Sequence, residues 1–355
     1  MNDGDRQDAK VPNRYSSSWK QSALDLVKGE YHIVHDGILT RRDFSLLFES
    51  DETRRRLPVE TMKQINVYSD VQIAPSALSL LSKHGVRIAF FDLHGNLQGF
   101  YTPYEACNAS EGLSRQYELC AQPSLRLEYA KEFERAAFRS MLATVKYYRK
   151  VGCRNIDPQI DAIEGLARQV GAAGSVNGLM LVEARARSSY YACFDAILEG
   201  SDFAFGARSK RPPKNEVNAM ISFGNAILYN KLLQIIWRAG LDPKMGIIHS
   251  SRDRAASLHL DFADVFKPLI VDRVVFSLIN RREIKRDRHF RGDEQATFLN
   301  DEGKRIIVER IEKKLSTQIT AGGRHLSYSD FMALEVRKFR DAIFDGELYE
   351  PLRLR

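Results

Sequence analysis

Along the chain the spacing of apolar positions changes character once, near residue 103. Before that point they fall in short runs: Tyr31-His32-Ile33-Val34, Ile38-Leu39, Phe44 to Phe48, Gln64 to Tyr68, Val86 to Phe91 and Leu97 to Tyr101. Runs of this length, bounded by turn formers, predict β-strands. His35-Asp36-Gly37 separates the first two runs, and Asp-Gly tolerates the positive φ angles of a tight hairpin, so a hairpin is predicted there. Pro75 and Ser76 open a short helix over Ala77 to Lys83, which Gly85 terminates from the C′ position. His94-Gly95-Asn96 predicts the turn into the last strand, and Pro103 closes the strand-rich region.

Beyond it the period becomes helical, as in Leu127, Tyr129, Phe133, Ala136-Ala137, Met141, Val145 and Tyr148. Leu179 to Leu198, Asn215 to Ala239, Leu258 to Asn280 and Phe331 to Phe344 repeat that texture, and strands nearly vanish. Phe203 to Lys214 interrupts it with Gly206, Pro212 and Pro213, predicting a flexible loop. The fold class is therefore α+β, a small N-terminal β-rich domain followed by a larger, mostly α-helical one. The expected division is a polar leader over 1–28, the β-rich domain over 29–103, the helical domain over 104–345 and a tail over 346–355.

Composition narrows the class. In 355 residues, 44% are hydrophobic and 28% charged, which excludes a disordered chain. The polar N-terminus has no apolar core of signal-peptide type, and nowhere do eighteen consecutive apolar residues occur. Cys107, Cys120, Cys153 and Cys193 form no C-x-x-C pair, which argues against a zinc cluster or a disulfide framework and for a reducing compartment. A soluble, cytoplasmic protein with no membrane partner is expected. Lys and Arg exceed Asp and Glu by 53 to 46, so strong positive potential must be local. It gathers at Arg208, Lys210, Arg211 and Lys214, at Arg252 and Arg254, and at Arg281, Arg282, Lys285, Arg286, Arg288 and Arg291. Three such runs point to a polyanion groove.

Candidate chemistry lies between those runs. Asp261 and Asp264 are spaced i,i+3 and so share one helix face beside the apolar stripe of Leu258, Phe262, Val265 and Leu269. Such a pair can share a metal, or form a solvated acidic face near a helix N-terminus. His249 ends the strand-like approach Met245-Gly246-Ile247-Ile248, where functional side chains tend to project; a capping or core histidine is the plainer reading. His259 faces away from the acid pair and reads as structural. Glu183 follows Leu179-Met180-Leu181-Val182 and has Arg187 four residues on, so it is either an ion-paired helix residue or a partly buried functional acid. One Glu, one His and two Asp from three separate helical regions suit a hard divalent ion, Mg²⁺ or Mn²⁺ rather than zinc. Close to basic segments, that set points to phosphodiester chemistry on DNA or RNA.

The order of these motifs closely resembles the CRISPR-associated integrase family Cas one. The match is carried by Glu183 with Ala186 and Tyr190-Tyr191; by Arg211-Pro212-Pro213-x-x-Glu216-Val217-Asn218-Ala219 running into Ser222-Phe223-Gly224 and Leu228-Tyr229; by Gly246-x-x-His249; and by Ser257-Leu258-x-Leu260-Asp261-x-x-Asp264-x-Phe266-Lys267-Pro268. In the first domain Asp36-Gly37-x-Leu39, Pro58 and His84-Gly85-Val86-x-Ile88-x-Phe90 extend it, so that it covers roughly residues 30 to 345. The resemblance implies a metal-dependent nuclease and integrase that joins the 3′-hydroxyl ends of short duplex DNA fragments to the repeat of a CRISPR array by transesterification. It implies that Glu183, His249 and Asp264 hold the metal, with Asp261, Lys267 and Tyr229 in the same pocket. It further implies a homodimer, joined through the β domains so that the apolar Val86 to Phe91 strand is covered, and a small partner protein, Cas two. Ala184 stands where many relatives have Gly, Asn225 where relatives often carry Tyr, and Asp264 where many have Glu. A stand-alone nuclease or a transposon-type integrase on branched DNA would share the site, whereas a DNA-binding scaffold would use none of its chemistry.

Overall fold

The structure, a computed structural model, describes residues 29–33, 35–51, 53–91, 97–104, 110–249, 257–292 and 295–353. Leader residues 1–28, the turn His94-Gly95-Asn96, Cys107, Arg252 and Arg254 lie outside the described residues.

Eight short strands build the N-terminal region: β1 (Glu30–Ile33), β2 (Gly37–Arg42), β3 (Ser45–Glu49), β4 (Arg54–Leu57), β5 (Gln64–Val67), β6 (Val71–Ile73), β7 (Arg87–Phe91) and β8 (Leu97–Tyr101). They form two four-stranded sheets, in the orders β1-β5-β7-β8 and β4-β3-β2-β6. The hairpin predicted at His35-Asp36-Gly37 is not made. β1 instead pairs in parallel with β5, Tyr31 opposite Ile65, while β2 pairs antiparallel with β3 and parallel with β6. The Asp36 side chain reaches across to the next connection, where Oδ1 accepts the Asp70 N–H at 2.8 Å. This stretch therefore carries the chain from one sheet to the other rather than folding it back on itself. Helix α1 (Pro75–Lys83) ends as read, with Gly85 at φ +64° just beyond its cap. Its Leu80 and Leu81 share one apolar cluster with Leu39, Ile65 and Ile88 from both sheets. The β7 strand is internal to its sheet, paired with β5 on one edge and β8 on the other.

The rest is mainly helical: α2 (Ser110–Ala121), α3 (Pro123–Lys150), α4 (Asp157–Gln169), α5 (Val176–Tyr191), α6 (Phe194–Ile197), α7 (Glu216–Arg238), α8 (Leu258–Phe266), α9 (Arg273–Asn280), α10 (Arg286–His289), α11 (Asp301–Leu315) and α12 (Tyr328–Asp345). Local chemistry sets the ends. Ser175 and Asn215 cap α5 and α7 with side-chain oxygens on Gly178 and Asn218 N–H groups, and Ser327 with Asp330 forms a capping box on α12. Helix α3, roughly 42 Å long at 1.5 Å per residue, runs through the centre; its Phe133 ring meets Phe262, Phe339 and Tyr349 at 5.0–5.4 Å. The stacked pair Phe100 and Trp237, 5.2 Å apart, joins the strand-rich part to α7.

Two readings of this region need correction. The run Leu258 to Asn280 is not one regular helix: Pro268 lacks the N–H that would continue α8, and a π-helical turn over Pro268–Asp272 follows, with Asp272 N–H bonding Lys267 O at 3.1 Å. Strands do recur, as two small antiparallel pairs, β9 (Phe290–Gly292) with β10 (Thr297–Leu299) and β11 (Gln318–Ala321) with β12 (Arg324–Ser327). The segment after α12, whose course the sequence left unread, packs back on the helix: Tyr349 is buried with its hydroxyl on the Glu335 carboxylate, Leu352 N–H donates to Glu335 Oε1 at 3.0 Å, and Gly322 N–H donates to Arg353 O at 2.9 Å.

Candidate active site

Helix α8 carries the acid pair because its polar positions 261 and 264 share a face while Leu258, Phe262 and Val265 fill the core. Both carboxylates are buried, so each must be compensated. Asp261 is compensated by backbone. Its Oδ2 accepts the N–H groups of Ile247 at 2.6 Å and Ile248 at 3.3 Å, and its Oδ1 accepts the His249 N–H at 3.0 Å. Here the expected strand-like approach fails: residues 245–249 pair with no strand; Met245 N–H bonds Asp242 O, Gly246 N–H bonds Ser257 Oγ, and the N–H groups of Ile247, Ile248 and His249 are taken up by Asp261. His249 therefore sits on a loop held to α8, not on a helix. Gly246 permits the close approach, since a Cβ there would lie 2.6 Å from Ser257 Oγ and 3.0 Å from its backbone carbon.

Asp261 also fixes the imidazole. Its Oδ1 lies 2.8 Å from His249 Nδ1, and a carboxylate can only accept, so Nδ1 carries the proton and Nε2 is left as the lone-pair nitrogen in the neutral ring. That nitrogen lies 3.6 Å from Asp264 Oδ2, too far for a hydrogen bond. Burial works to lower the His249 pKa, but the Asp261 hydrogen bond and the Asp264 and Asp261 charges outweigh it and raise it above 6.5.

Asp264 is held by cations. Lys267 Nζ donates to its Oδ1 at 2.8 Å, and Arg187 Nη2 lies 3.2 Å from the same oxygen. Burial would raise the Asp264 pKa; Lys267, Arg187 and His249 prevail and hold it well below the usual carboxylate range. Lys267 also sits 4.9 Å from the centre of the Tyr229 ring, a cation–π contact. The same ring meets His259 edge-on at 5.4 Å, and burial pushes the His259 pKa down to about 4, as befits a structural histidine.

Glu183, on α5, resolves the choice left by its sequence in an unexpected way, because its ion pair and its place in the acid cluster are the same fact. Arg187 Nε donates to Glu183 Oε1 while Nη2 of the same guanidinium faces Asp264. Burial opposes the Arg187 charge, but Asp264 and Glu183 more than offset it and raise its pKa. Glu183 is thus joined to Asp264 through the Arg187 guanidinium, and His249 Nε2 lies 3.6 Å from Asp264. Among the described residues no three His, Cys, Asp or Glu groups close on one metal-sized point as placed, and the Arg187 guanidinium stands between Glu183 and Asp264. The donor set nevertheless fits a hard divalent ion: one imidazole oriented by a carboxylate behind it, plus two carboxylates whose present partners are cations.

Sequence reasoning missed three participants. Glu134 on α3 is 1% exposed, and burial together with Glu183 and Asp264 pushes its pKa well up. Its signal was available: Glu134 stands in the apolar stripe Ala130, Ala137, Met141. Arg187 was read only as a partner of Glu183. Asp272, in the π turn, accepts the Tyr190 hydroxyl at 2.9 Å, and burial pushes its pKa to about 6.

The basic loop before α7 is well tied down, contrary to the flexible loop expected. Phe205 and Gly206 N–H groups bond the Asp195 carboxylate, and Arg208 donates to Asn218 Oδ1 at 2.8 Å and Ser222 Oγ at 2.9 Å. Arg208 thus anchors the loop, whereas Lys210, Arg211 and Lys214 are exposed. Partial burial and the charges of Lys267, Arg208 and Arg187 all lower the Lys210 pKa. In the third basic run Arg286 and Arg288 pair with Glu216 and Glu302. A cavity of about 880 Å³ lies beside that run, lined by residues such as Glu199, Asp202 and Lys285 and by none of the predicted site residues.

Comparison with known proteins bears on the family and the fold. The family model described as CRISPR associated protein Cas1 matches residues 31–313. A protein named CRISPR-associated endonuclease Cas1 2, from Thermodesulfovibrio yellowstonii, is 34% identical over 92% of this chain and 98% of its own length. The solved structure of a CAS1 protein from Thermotoga maritima has a TM-score of 0.75 at 30% identity, covering 90% of this chain and 98% of that one. A casposase bound to integration product shares the fold with a TM-score of 0.71 at 21% identity, covering 90% of each chain. No described helix is long and apolar enough to cross a membrane. A strand-rich region in front of a mainly helical one is the fold shared with these relatives, and the chain belongs to the CRISPR-associated protein Cas1 family.

Proposed function

We propose that the chain joins the 3′-hydroxyl ends of short duplex DNA fragments to the repeat of a CRISPR array by transesterification, and that Glu183, His249 and Asp264 hold the Mg²⁺ or Mn²⁺ it uses. The observation that carries this reading is the Asp261 clamp, which turns His249 Nε2 toward Asp264 and leaves that nitrogen 3.6 Å from it without a hydrogen bond. A divalent ion there would supply Lewis-acid activation of the incoming hydroxyl and charge stabilisation on the departing oxygen. The chain's own groups do the rest. Lys267, next to Asp264, offsets phosphate charge, and Tyr229 keeps the Lys267 ammonium in place from the other side. Asp261 is a positioning residue, fully engaged with His249 and the loop before it. Lys210, Arg211 and Lys214 present exposed cations and seat the DNA backbone, Arg208 holds their loop, and Arg252 and Arg254 extend the basic run after His249.

The likeness to a casposase bound to integration product supports strand transfer over simple cleavage, and it keeps a transposon-type integrase as the second reading. We further propose a homodimer working with the small partner Cas two in the cytoplasm of a prokaryotic cell. The test combines purified chain, with and without that partner, short duplex DNA and a repeat-bearing supercoiled plasmid. Expected are covalent joining with Mg²⁺ or Mn²⁺, its loss with 3′-dideoxy ends or in Glu183→Ala, and insertion at repeat borders. Joining scattered over the plasmid would favour the transposon-type reading, and undiminished joining by Glu183→Ala would refute the assigned site. A sedimenting mass of twice 40.5 kDa is expected without DNA.

A further inference from the structure

Among the buried side-chain atoms beside the candidate site that have no hydrogen-bond partner, two are complementary: Nη2 of Arg187, a donor, and Oε2 of Glu134, an acceptor. Arg187 Nε donates to Glu183, and Nη2 lies 3.2 Å from Asp264 Oδ1 yet is misaligned for a hydrogen bond. One guanidinium thus spans both carboxylates assigned to the metal and fully satisfies only one. Glu134, across the cluster on α3, feels the Arg187 charge, which opposes the upward push of burial and of Glu183 and Asp264.

Buried carboxylates need compensating charge whether or not a metal is bound. Arg187 holds Glu183 Oε1 and Asp264 Oδ1, and a divalent ion drawing on both carboxylates would compete with the guanidinium for them and repel its charge. The Arg187 side chain is only 16% exposed, so a displaced guanidinium gains from a second acceptor. Glu134 offers a spare oxygen.

We propose that Arg187 is the resident counter-ion of the metal centre: it occupies Glu183 and Asp264 when the ion is away, and turns to Glu134 when the ion arrives. The proposal rests on the reading of Glu183, His249 and Asp264 as metal ligands. It makes Arg187 and Glu134 positioning residues that set metal affinity.

Calorimetric titration of Mn²⁺ into the wild-type chain, Arg187→Gln and Glu134→Gln tests it, with thermal unfolding of each with and without Mn²⁺. Arg187→Gln should bind Mn²⁺ about tenfold more tightly, as removal of a competing partner of ordinary coupling strength requires. Its metal-free Tm should fall, and Mn²⁺ should raise that Tm by more than it raises the wild type's. Glu134→Gln should bind about tenfold more weakly, the usual scale for a residue behind a metal ligand. In the wild type, the Arg187 Nε–H resonance should move on titration with Mg²⁺. A folded Arg187→Gln that binds Mn²⁺ no better than wild type overturns the exchange and leaves the ligand assignment standing. Failure of the wild type and both variants to bind Mn²⁺ overturns both. Should Arg187→Gln not fold, the wild-type resonance decides, and one that stays put while calorimetry shows ion bound is fatal to the idea.

Discussion

Replacing Asp261 by Asn removes one charge and one acceptor from a side chain that accepts four hydrogen bonds, from Ile247, Ile248 and His249 backbone N–H groups and from His249 Nδ1. Hydrogen bonds to a charged acceptor contribute about 1.5–3 kcal/mol each. The Asn carbonyl can keep part of the set, but its NH₂ must then face N–H donors in a site where the Asp261 side chain has no exposure to water. The balance comes to a loss of about 3–5 kcal/mol, the range for breaking a buried charged network. Urea denaturation followed by circular dichroism measures it. Metal affinity should fall with it, by about 10- to 100-fold, because the imidazole loses the partner that fixes its tautomer. His249→Ala and the double variant complete a cycle: the two losses should be strongly non-additive if Asp261 acts on the metal through the ring. An Asp261→Asn chain within about 1 kcal/mol of wild type would refute the idea that this carboxylate organises the loop before α8.

Asp272, with its pKa pushed up by burial to about 6, binds its proton more tightly in the folded chain than in the unfolded one. Its contribution is therefore present below about pH 4 and lost as the pH rises toward 6. Asp272→Asn should gain on wild type by about 3 kcal/mol between pH 4 and pH 8, at 1.36 kcal/mol per pH unit, and a pH-independent difference in urea midpoints would contradict this. Gly224→Ala would put a Cβ 2.7 Å from Val271 Cγ1 and 3.3 Å from Ile311 Cδ1; overpacking of that kind costs about 1–3 kcal/mol, so an unchanged or higher Tm would be the wrong outcome. Neutralising Lys210, Arg211 and Lys214 together should weaken duplex binding and flatten its dependence on salt by up to about three phosphate contacts' worth. A salt slope equal to the wild type's would remove the loop from the DNA path.

Element positions were legible in the sequence because period is a local property: the strand from 87, helix α1 with its stop at Gly85, and the long helix of Phe133 and Met141 stand where the pattern puts them. Pairings between distant segments were not. Asp-Gly at 36–37 suits a hairpin, yet β1 finds a parallel partner more than thirty residues on, because the two sheets bury more apolar surface together than a lone hairpin could. For the site, the spacing of Asp261 and Asp264 gave their shared helix, but not that the first acid would spend itself on amides twelve to fourteen residues upstream. Spacing likewise gave the Glu183 and Arg187 pair, but not the third partner on α8, since i,i+4 arithmetic sees only one helix. Glu134 was visible as a carboxylate in an apolar stripe, and Pro268 as a break in a helical run.

The wide turn at Pro268–Asp272 also works as a phase shifter. It carries one residue more than an ordinary α-turn, so α9 is rotated relative to α8 from where a continuous helix would place it. Deleting a single residue there would restore regular winding and swing everything downstream by about 100°, the advance of one helical residue. Val275, Phe276 and Ile279, now buried, would swing toward water while Asp264 stayed put, so one codon's loss would do more harm to this chain than many substitutions.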